Sequence, residues 1–341
     1  MAAIGDVARL AGVSKATASR ALSGRGSVAD DTRRRVEAAA ASIGFIASPD
    51  AASLVTGRTK NVGVIIPFVN RWFFGEVLEG IERALLAAGY DLTLYNLADD
   101  GPERERVFDF FLARKRVDAV IAVGVDLGEG EIAGLERRGK PIVALGGSAP
   151  RAPRLAIDDA AAAVLATEHL LHLGHTRIAH LAGREANRSL ENVQGRRLRG
   201  FRAAMVEAGL QAVAGGTVRE TEMSLPGGYA AALQLLGHPA HRPSALFAAS
   251  DEVALGAMLA AERLGISVPA DLSIVGIDGH EYAEMFGLTT VEQYPGDQGR
   301  LAVELVMRLL GEDGPSSSAP ESFTLLPVRL VVRSSTTAAP R

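Results

Sequence analysis

Apolar residues in the first 44 positions recur at helical spacing. Ile4, Val7, Ala8 and Ala11 share one face, Gly12 suits a left-handed helix stop, Val13 plugs the turn, and Ser14 can cap a helix beginning at Lys15. Ala18, Ala21 and Leu22 give that second helix a thin apolar face. A third helix runs from about Asp30, where acidic residues suit a helix N-terminus, to Ile43, and Gly44 ends it. Residues 45–60 (FIASPDAASLVTGRTK) hold fewer large apolar groups and are broken by Pro49 and Gly57, as in a linker with at most one or two helical turns. A boundary falls near 58.

From Asn61 the pattern changes to short β-branched runs alternating with amphipathic stretches. Strands are predicted near 62–67, 91–95, 118–123, 141–145, 155–157, 177–181, 245–249 and 273–277, with helices between most of them. Such alternation argues for parallel sheets covered by helices. LEGIERALLAAGYDL (78–92) and LRGFRAAMVEAGLQA (198–212) superimpose at an offset of 120, matching Gly80 with Gly200 and Gly89 with Gly209. Two similar α/β lobes follow, and their ligand belongs at the carboxyl ends of the strands, in the cleft between lobes. PSSSAP (315–320) reads as a loop and FTLLPVRLVVR (323–333) as a late strand region.

The length of 341 residues agrees with two or more domains, and 48% hydrophobic with 22% charged residues is ordinary globular usage. The chain has no cysteine, which excludes disulfides, thiol nucleophiles and cysteine zinc sites and points to a reducing cytoplasm. No run is long enough for a membrane span, and Met1 to Gly12 carries charged residues where a signal peptide would be apolar. The net charge of -4 hides an asymmetry: residues 1–60 hold nine Lys/Arg against five Asp/Glu, the remainder 27 against 35. Only the head is a candidate basic surface. Arg outnumbers Lys 32 to 4 along the whole chain, which marks general residue usage rather than local phosphate recognition.

The run DVARLAGVSKATASRAL (6–22) has the small, tight turn that lets a second helix project N-terminal side chains into a DNA major groove. By spacing alone an ordinary helical hairpin would look similar. The run closely resembles the DNA-binding head of the LacI/GalR family of bacterial transcriptional regulators, with Ala18 at the family's usual valine. The resemblance continues through VADDTRRRVEAAAASIGF (28–45), VGVIIP (62–67), HLLHLGHTRIAHLAG (169–183), RRLRGF (196–201), SDEVALGAM (250–258) and LSIVGIDG (272–279).

That resemblance implies an α/β protein with an N-terminal all-α helix-turn-helix head and a two-lobed core like the periplasmic sugar-binding proteins, built of parallel sheets flanked by helices. The head would span 1–45, a hinge 46–60 and the core 61–341. The N-lobe would take about 61–157 and 290–320, and the C-lobe about 158–289 and 321–335, with the chain exchanging lobes near 158, 289 and 321. Lys15 and Ala16 would meet base edges and Arg20 a base or phosphate; Ser14, Thr17 and Ser19 would seat the helix on the backbone, with Ser23 and Ser27 adding contacts. A Lys can donate to guanine, whereas Ala16 offers only an apolar contact. The hinge would fold on DNA and wedge Leu54 into the minor groove. Here the chain departs from the family, with Ala47 at the usual proline, Pro49 two places on, and Ala52 where arginine is frequent. A flexible tether with a solvated leucine is the alternative to that wedge.

In the core, the resemblance places Arg197, Asp278, Ser250 and Met223 at effector-contacting positions, with Trp72 and Phe73 able to stack on an apolar ligand face. A guanidinium fork facing a carboxylate can hold vicinal hydroxyls or an amide. Each has a structural alternative: Asp278 in a turn, Ser250 as a helix cap, the aromatics as core. Gly146 and Gly147 stand where sugar-responsive relatives often carry aspartate, and Met223 where they carry an aromatic. A carbohydrate is the family default, and a nucleobase or other polar metabolite stays open.

Three further signals are set aside. GLERRGKP (134–141) imitates a phosphate loop but has Pro141 for the hydroxyl and lies between a helix end and a strand start. His169, His172 and His175 lack a third in-register ligand or cysteine and read as polar helix-end residues. Asp158 and Asp159 read as an N-cap pair. The expectation is a cytoplasmic regulator, a repressor by default, without catalytic residues, cofactor, metal or membrane partner. It would bind an inverted-repeat operator as a homodimer and answer to a small effector. A solute-binding module or a sugar- or nucleotide-acting α/β enzyme is the alternative.

Overall fold

The computed structural model describes residues 2–23, 27–45, 58–97, 101–112, 116–184, 192–210, 218–311 and 322–340. The chain divides into a compact unit of residues 1–60 with 115–118 and a larger one of 61–114 with 119–341. In the first unit α1 (Ile4–Ala11), α2 (Lys15–Ser23) and α3 (Asp30–Ser42) enclose Val7, Ala8, Ala18, Ala21, Val36 and Ala40. The turn forms as its residues dictate. Gly12 is left-handed at φ 66°, and its N–H reaches the Ala8 and Arg9 carbonyls. Ser14 Oγ accepts from the Thr17 N–H at 3.0 Å. Ala18 is fully buried, so its small side chain sets how closely α2 lies on its neighbours.

The larger unit carries two six-stranded sheets. The first contains β1 (Asn61–Ile66), β2 (Asp91–Asn96), β3 (Ala119–Val123), β4 (Ile142–Leu145), β5 (Arg154–Ala156) and β11 (Phe323–Leu325), in the order β11-β5-β4-β3-β1-β2 and all parallel. The second contains β6 (Ile178–Gly183), β7 (Val218–Thr221), β8 (Ala245–Ala248), β9 (Ser273–Asp278), β10 (Thr289–Glu292) and β12 (Arg329–Val331), in the order β12-β10-β9-β8-β6-β7. Only the β10–β12 pairing is antiparallel. Central strands are buried along almost their whole length, which is why they read as continuous apolar runs.

The helices are α4 (Trp72–Ala87), α5 (Pro102–Arg106), α6 (Glu129–Glu136), α7 (Asp159–His172), α8 (Val193–Glu207), α9 (Leu225–Leu236), α10 (Asp251–Arg263) and α11 (Pro295–Leu310). The two glycines of the internal echo do the same work in each lobe. A Cβ on Gly80 of α4 would run into the Gly296 backbone of α11, and one on Gly200 of α8 into the Ala160 carbonyl of α7. Close helix crossings therefore underlie the repeated sequence.

Strand membership shifts two of the expected lobe crossings. β10 pairs with β9, so the second crossing follows residue 292; β11 extends the first sheet beside β5, so the third falls between 325 and 329. Sequence reading did not find β7 or β10. β7 is a half-exposed strand at a sheet edge, and β10 is four residues long and starts with two threonines. The segment 134–141 resolves as a helix end, with Gly139 left-handed at φ 66° before β4. His169 and His175 tie down the C-terminal segment: His169 Nε2 lies 2.9 Å from Thr336 Oγ1, and His175 Nε2 3.0 Å from the Thr337 carbonyl.

Candidate DNA-binding and ligand sites

On α2, Lys15, Ala16, Ser19 and Arg20 are exposed, while Ala18 and Ala21 face the head core. The exposed set is spaced i, i+1, i+4, i+5, one continuous helix face. Ser14 and Thr17 are joined through their hydroxyls at 2.9 Å, so both serve the helix start. Arg20 Nε donates back to the Ala16 carbonyl at 3.2 Å. Ser23 ends α2 and Ser27 is exposed beyond it, while Leu54, Ala47, Pro49 and Ala52 lie outside the described residues.

In the larger unit a cavity of about 550 Å³ opens where strands of both sheets end. Its walls include Pro67 after β1, Gly124 after β3, Gly146 and Gly147 after β4, Met223 after β7, Ser250 after β8, Asp278 at the end of β9 and Gln293 after β10. Phe73, Arg197, Met223, Ser250 and Asp278, five of the six core positions singled out in the sequence, line it together. Trp72 is not among the lining residues. Its indole instead stacks on His280, with ring centroids 4.5 Å apart and an interplanar angle of 24°. One residue later on α4, Phe73 turns toward the cavity and packs edge-on against Phe74 at 5.4 Å.

The polar wall is a connected set. Arg197 Nε donates to Asp159 Oδ1 at 3.0 Å, and its Nη1 donates to the Ala249 carbonyl at 2.6 Å and lies 3.8 Å from Asp278 Oδ1. Arg196 Nη2 reaches the other Asp159 oxygen at 2.8 Å. Gln293 donates to Asp278 Oδ1 at 2.7 Å, and Gln298 braces the Gln293 carbonyl at 2.6 Å. The N-cap reading holds for Asp158, which accepts from the Ala161 N–H. Asp159 is different, a buried carboxylate between two arginines that also lines the cavity. Ser250 caps α10, accepting from the Val253 N–H at 3.3 Å, and also lines the cavity.

Asp278 is held in an unusual backbone state, φ 142°, by the buried carboxylate of Asp251, which accepts from the Gly279 and His280 N–H groups and from Thr290. Gly276 leaves room for that carboxylate, since a Cβ there would overlap it. Burial pushes the Asp278 carboxyl well above the usual aspartate range; Arg197 pulls it back, and Asp251 adds repulsion. Burial also raises Asp251, against its three hydrogen-bond donors. Sequence reading missed Asp159, Gln293 and Gln298 as cavity residues. The available signal was the acid pair itself, one member more than a cap requires.

Two family descriptions match this chain: "Bacterial regulatory proteins, lacI family" over residues 3–48 and "Periplasmic binding protein-like domain" over residues 167–336. The HTH-type transcriptional regulator DegA of Bacillus subtilis is 33% identical over 339 residues, covering 97% of each chain. Among solved structures, the Lac repressor dimer bound to operator and the anti-inducer ONPF is similar with a TM-score of 0.83, at 29% identity and 99% of each chain. The transcriptional regulator CelR in complex with cellobiose has a TM-score of 0.69 at 29% identity, covering 98% of this chain and 100% of that one. A helix-turn-helix head joined to a two-sheet core with a ligand-sized cleft defines a DNA-binding transcriptional regulator. The chain belongs to the lacI family of bacterial regulatory proteins.

Proposed function

We propose that this regulator represses transcription by binding an inverted-repeat operator as a homodimer, through heads of residues 1–45 and hinges of 46–60, and that a small polyhydroxylated effector, a carbohydrate, bound between the core lobes shifts that affinity. The observation that carries the reading is that Arg197, Asp159, Asp278 and Gln293 form one polar set in the cavity that Phe73 and Phe74 of the first lobe also line. Fixed forks and carboxylates match vicinal hydroxyls, and an aromatic face matches the apolar face of a sugar ring. A ligand contacting both lobes favours one arrangement and so shifts the population. One head buries too little for tight specific binding, so two heads share an operator. Lys15 and Arg20 read and anchor the major groove, Ala16 offers an apolar contact, and Leu54 wedges the minor groove. Gel shifts on inverted-repeat DNA, repeated with a panel of monosaccharides, disaccharides and nucleobases, test this. Lys15→Ala with Arg20→Ala should lower affinity at least about tenfold, the value of one good base contact. A sugar that moves the wild-type shift but not that of Arg197→Gln supports the effector site; a nucleobase doing so replaces the carbohydrate.

A further inference from the structure

Residues 71 and 72 reach from the first lobe to three separate segments of the second, at the rim of the cavity. Arg71 Nη2 pairs with Glu222, just past β7, at 2.7 Å. The carboxylate of Glu252, in the first turn of α10, lies near enough to the Trp72 backbone N–H and the Arg71 guanidinium for both to favour its charged form. The Trp72 indole stacks on His280, just past β9, whose Nδ1 accepts from the Tyr282 N–H at 3.1 Å. These partners follow the ends of three strands of one sheet, β7, β8 and β9, so the first turn of α4 is seated on the carboxyl edge of the second lobe.

The chemistry of α4 explains why it needs them. Its N-cap residue, Arg71, makes no side-chain capping bond, and the first turn holds no acidic residue. A helix start carries unpaired N–H groups and a partial positive charge, and acidic side chains stabilise it. Glu252 brings a carboxylate to that helix start from the other lobe; its burial disfavours the charged form, and Arg71 and the helix start offset this, while Arg71 also pairs with Glu222. These contacts join two lobes, so separating the lobes would remove them. One term opposes closure: the Trp72 indole N–H is buried without an acceptor among the described residues. Burying a donor unpaired is unfavourable, so the contact is releasable.

We infer that Arg71 and Trp72 form an interlobe latch with Glu222, Glu252 and His280 that stabilises this arrangement of the two lobes against opening. The latch deepens the proposed function, because it sets how much of the population an effector has left to shift; its own existence does not depend on the effector's identity. Trp72 is the only tryptophan in the chain, so its emission reports the latch directly.

The test uses the full-length protein without DNA or ligand. Glu222 is largely exposed, so Glu222→Ala leaves the fold intact, and Glu222→Ala with Glu252→Gln removes both acidic partners. Acrylamide quenching of Trp72 should rise about twofold in the double variant as the open state gains population, with a larger radius of gyration by small-angle scattering. The single variant should fall between, and the far-ultraviolet circular dichroism should not change. Unchanged quenching and scattering in both variants would overturn the latch while leaving the effector reading untouched. A sugar that closes the double variant again, restoring low quenching, supports both.

Discussion

Asp278 shows what burial does to a carboxylate on the cavity wall. It sits 3.8 Å from Arg197, yet the tighter partner of that guanidinium is Asp159 at 3.0 Å. Burial raises its pKa, so the charged form is disfavoured in the folded state relative to the unfolded chain. The stability linked to this group is full below the ordinary aspartate pKa and is lost as pH rises through the elevated folded value. Asp278→Asn should therefore stabilise the ligand-free protein at pH about 8 by about 1–3 kcal/mol and make no difference near pH about 4, with effector binding lost. Thermal melts of both proteins across that range check the sign. A variant that is less stable at alkaline pH would mean that the Arg197 contact outweighs the burial. His180 illustrates the plainer case. Packed against Phe201 and Phe247 with ring centroids 5.0 and 4.5 Å away, it is pushed down to about 4 by burial and stays a neutral core residue.

Within single elements, α4 separates two kinds of glycine. Gly80 touches α11 so closely that a Cβ would overlap the Gly296 carbonyl, whereas nothing lies within 4 Å of a Cβ on Gly75. Gly80→Ala should cost about 1–3 kcal/mol by overpacking, and Gly75→Ala should gain about 0.5–1 kcal/mol from reduced unfolded-state freedom. Urea unfolding of the two variants makes the comparison on one helix. Equal effects would place the α4–α11 crossing elsewhere. The echo between 78–92 and 198–212 signalled this in the sequence, because both glycines occupy the same place in repeated lobes. What it did not show was the partner helix, which lies more than 200 residues away for Gly80 and about 40 away for Gly200.

Over the whole molecule, charge is divided by task. Residues 1–60 carry a balance of +4 and the remaining 281 a balance of -8. A basic head gains affinity from released counterions, and an acidic core avoids wrapping the duplex. Operator affinity, measured by anisotropy, should fall linearly in log–log form with salt, with a slope of about -0.9 for each phosphate neutralised and, for the proposed homodimer, at least about four phosphates over its two heads. Neutralising Arg20 in both protomers should flatten the slope by about two. A slope near zero would remove the head's charge from the binding account.

The sequence alone determined the head, because its helices, turn and cap are set by neighbours within a few residues: Gly12 must be left-handed, Ser14 must cap, and Ala18 must face inward. It also determined the alternation of strands and helices in the core, since burial on both faces writes itself as apolar runs. Tertiary structure decided the rest. Asp159 and Arg197 meet through the crossing of α7 and α8, Asp278 and Gln293 through the pairing of β9 with β10, and only the packing of those helices on that sheet brings the four to one wall. The same packing sent Phe73 into the cavity and Trp72 to His280, a choice between adjacent residues that helical periodicity cannot make without knowing what lies opposite. The last crossings of the chain were likewise decided by edge pairing, where a three-residue strand such as Phe323–Leu325 is defined by the neighbour that bonds it and not by its own composition.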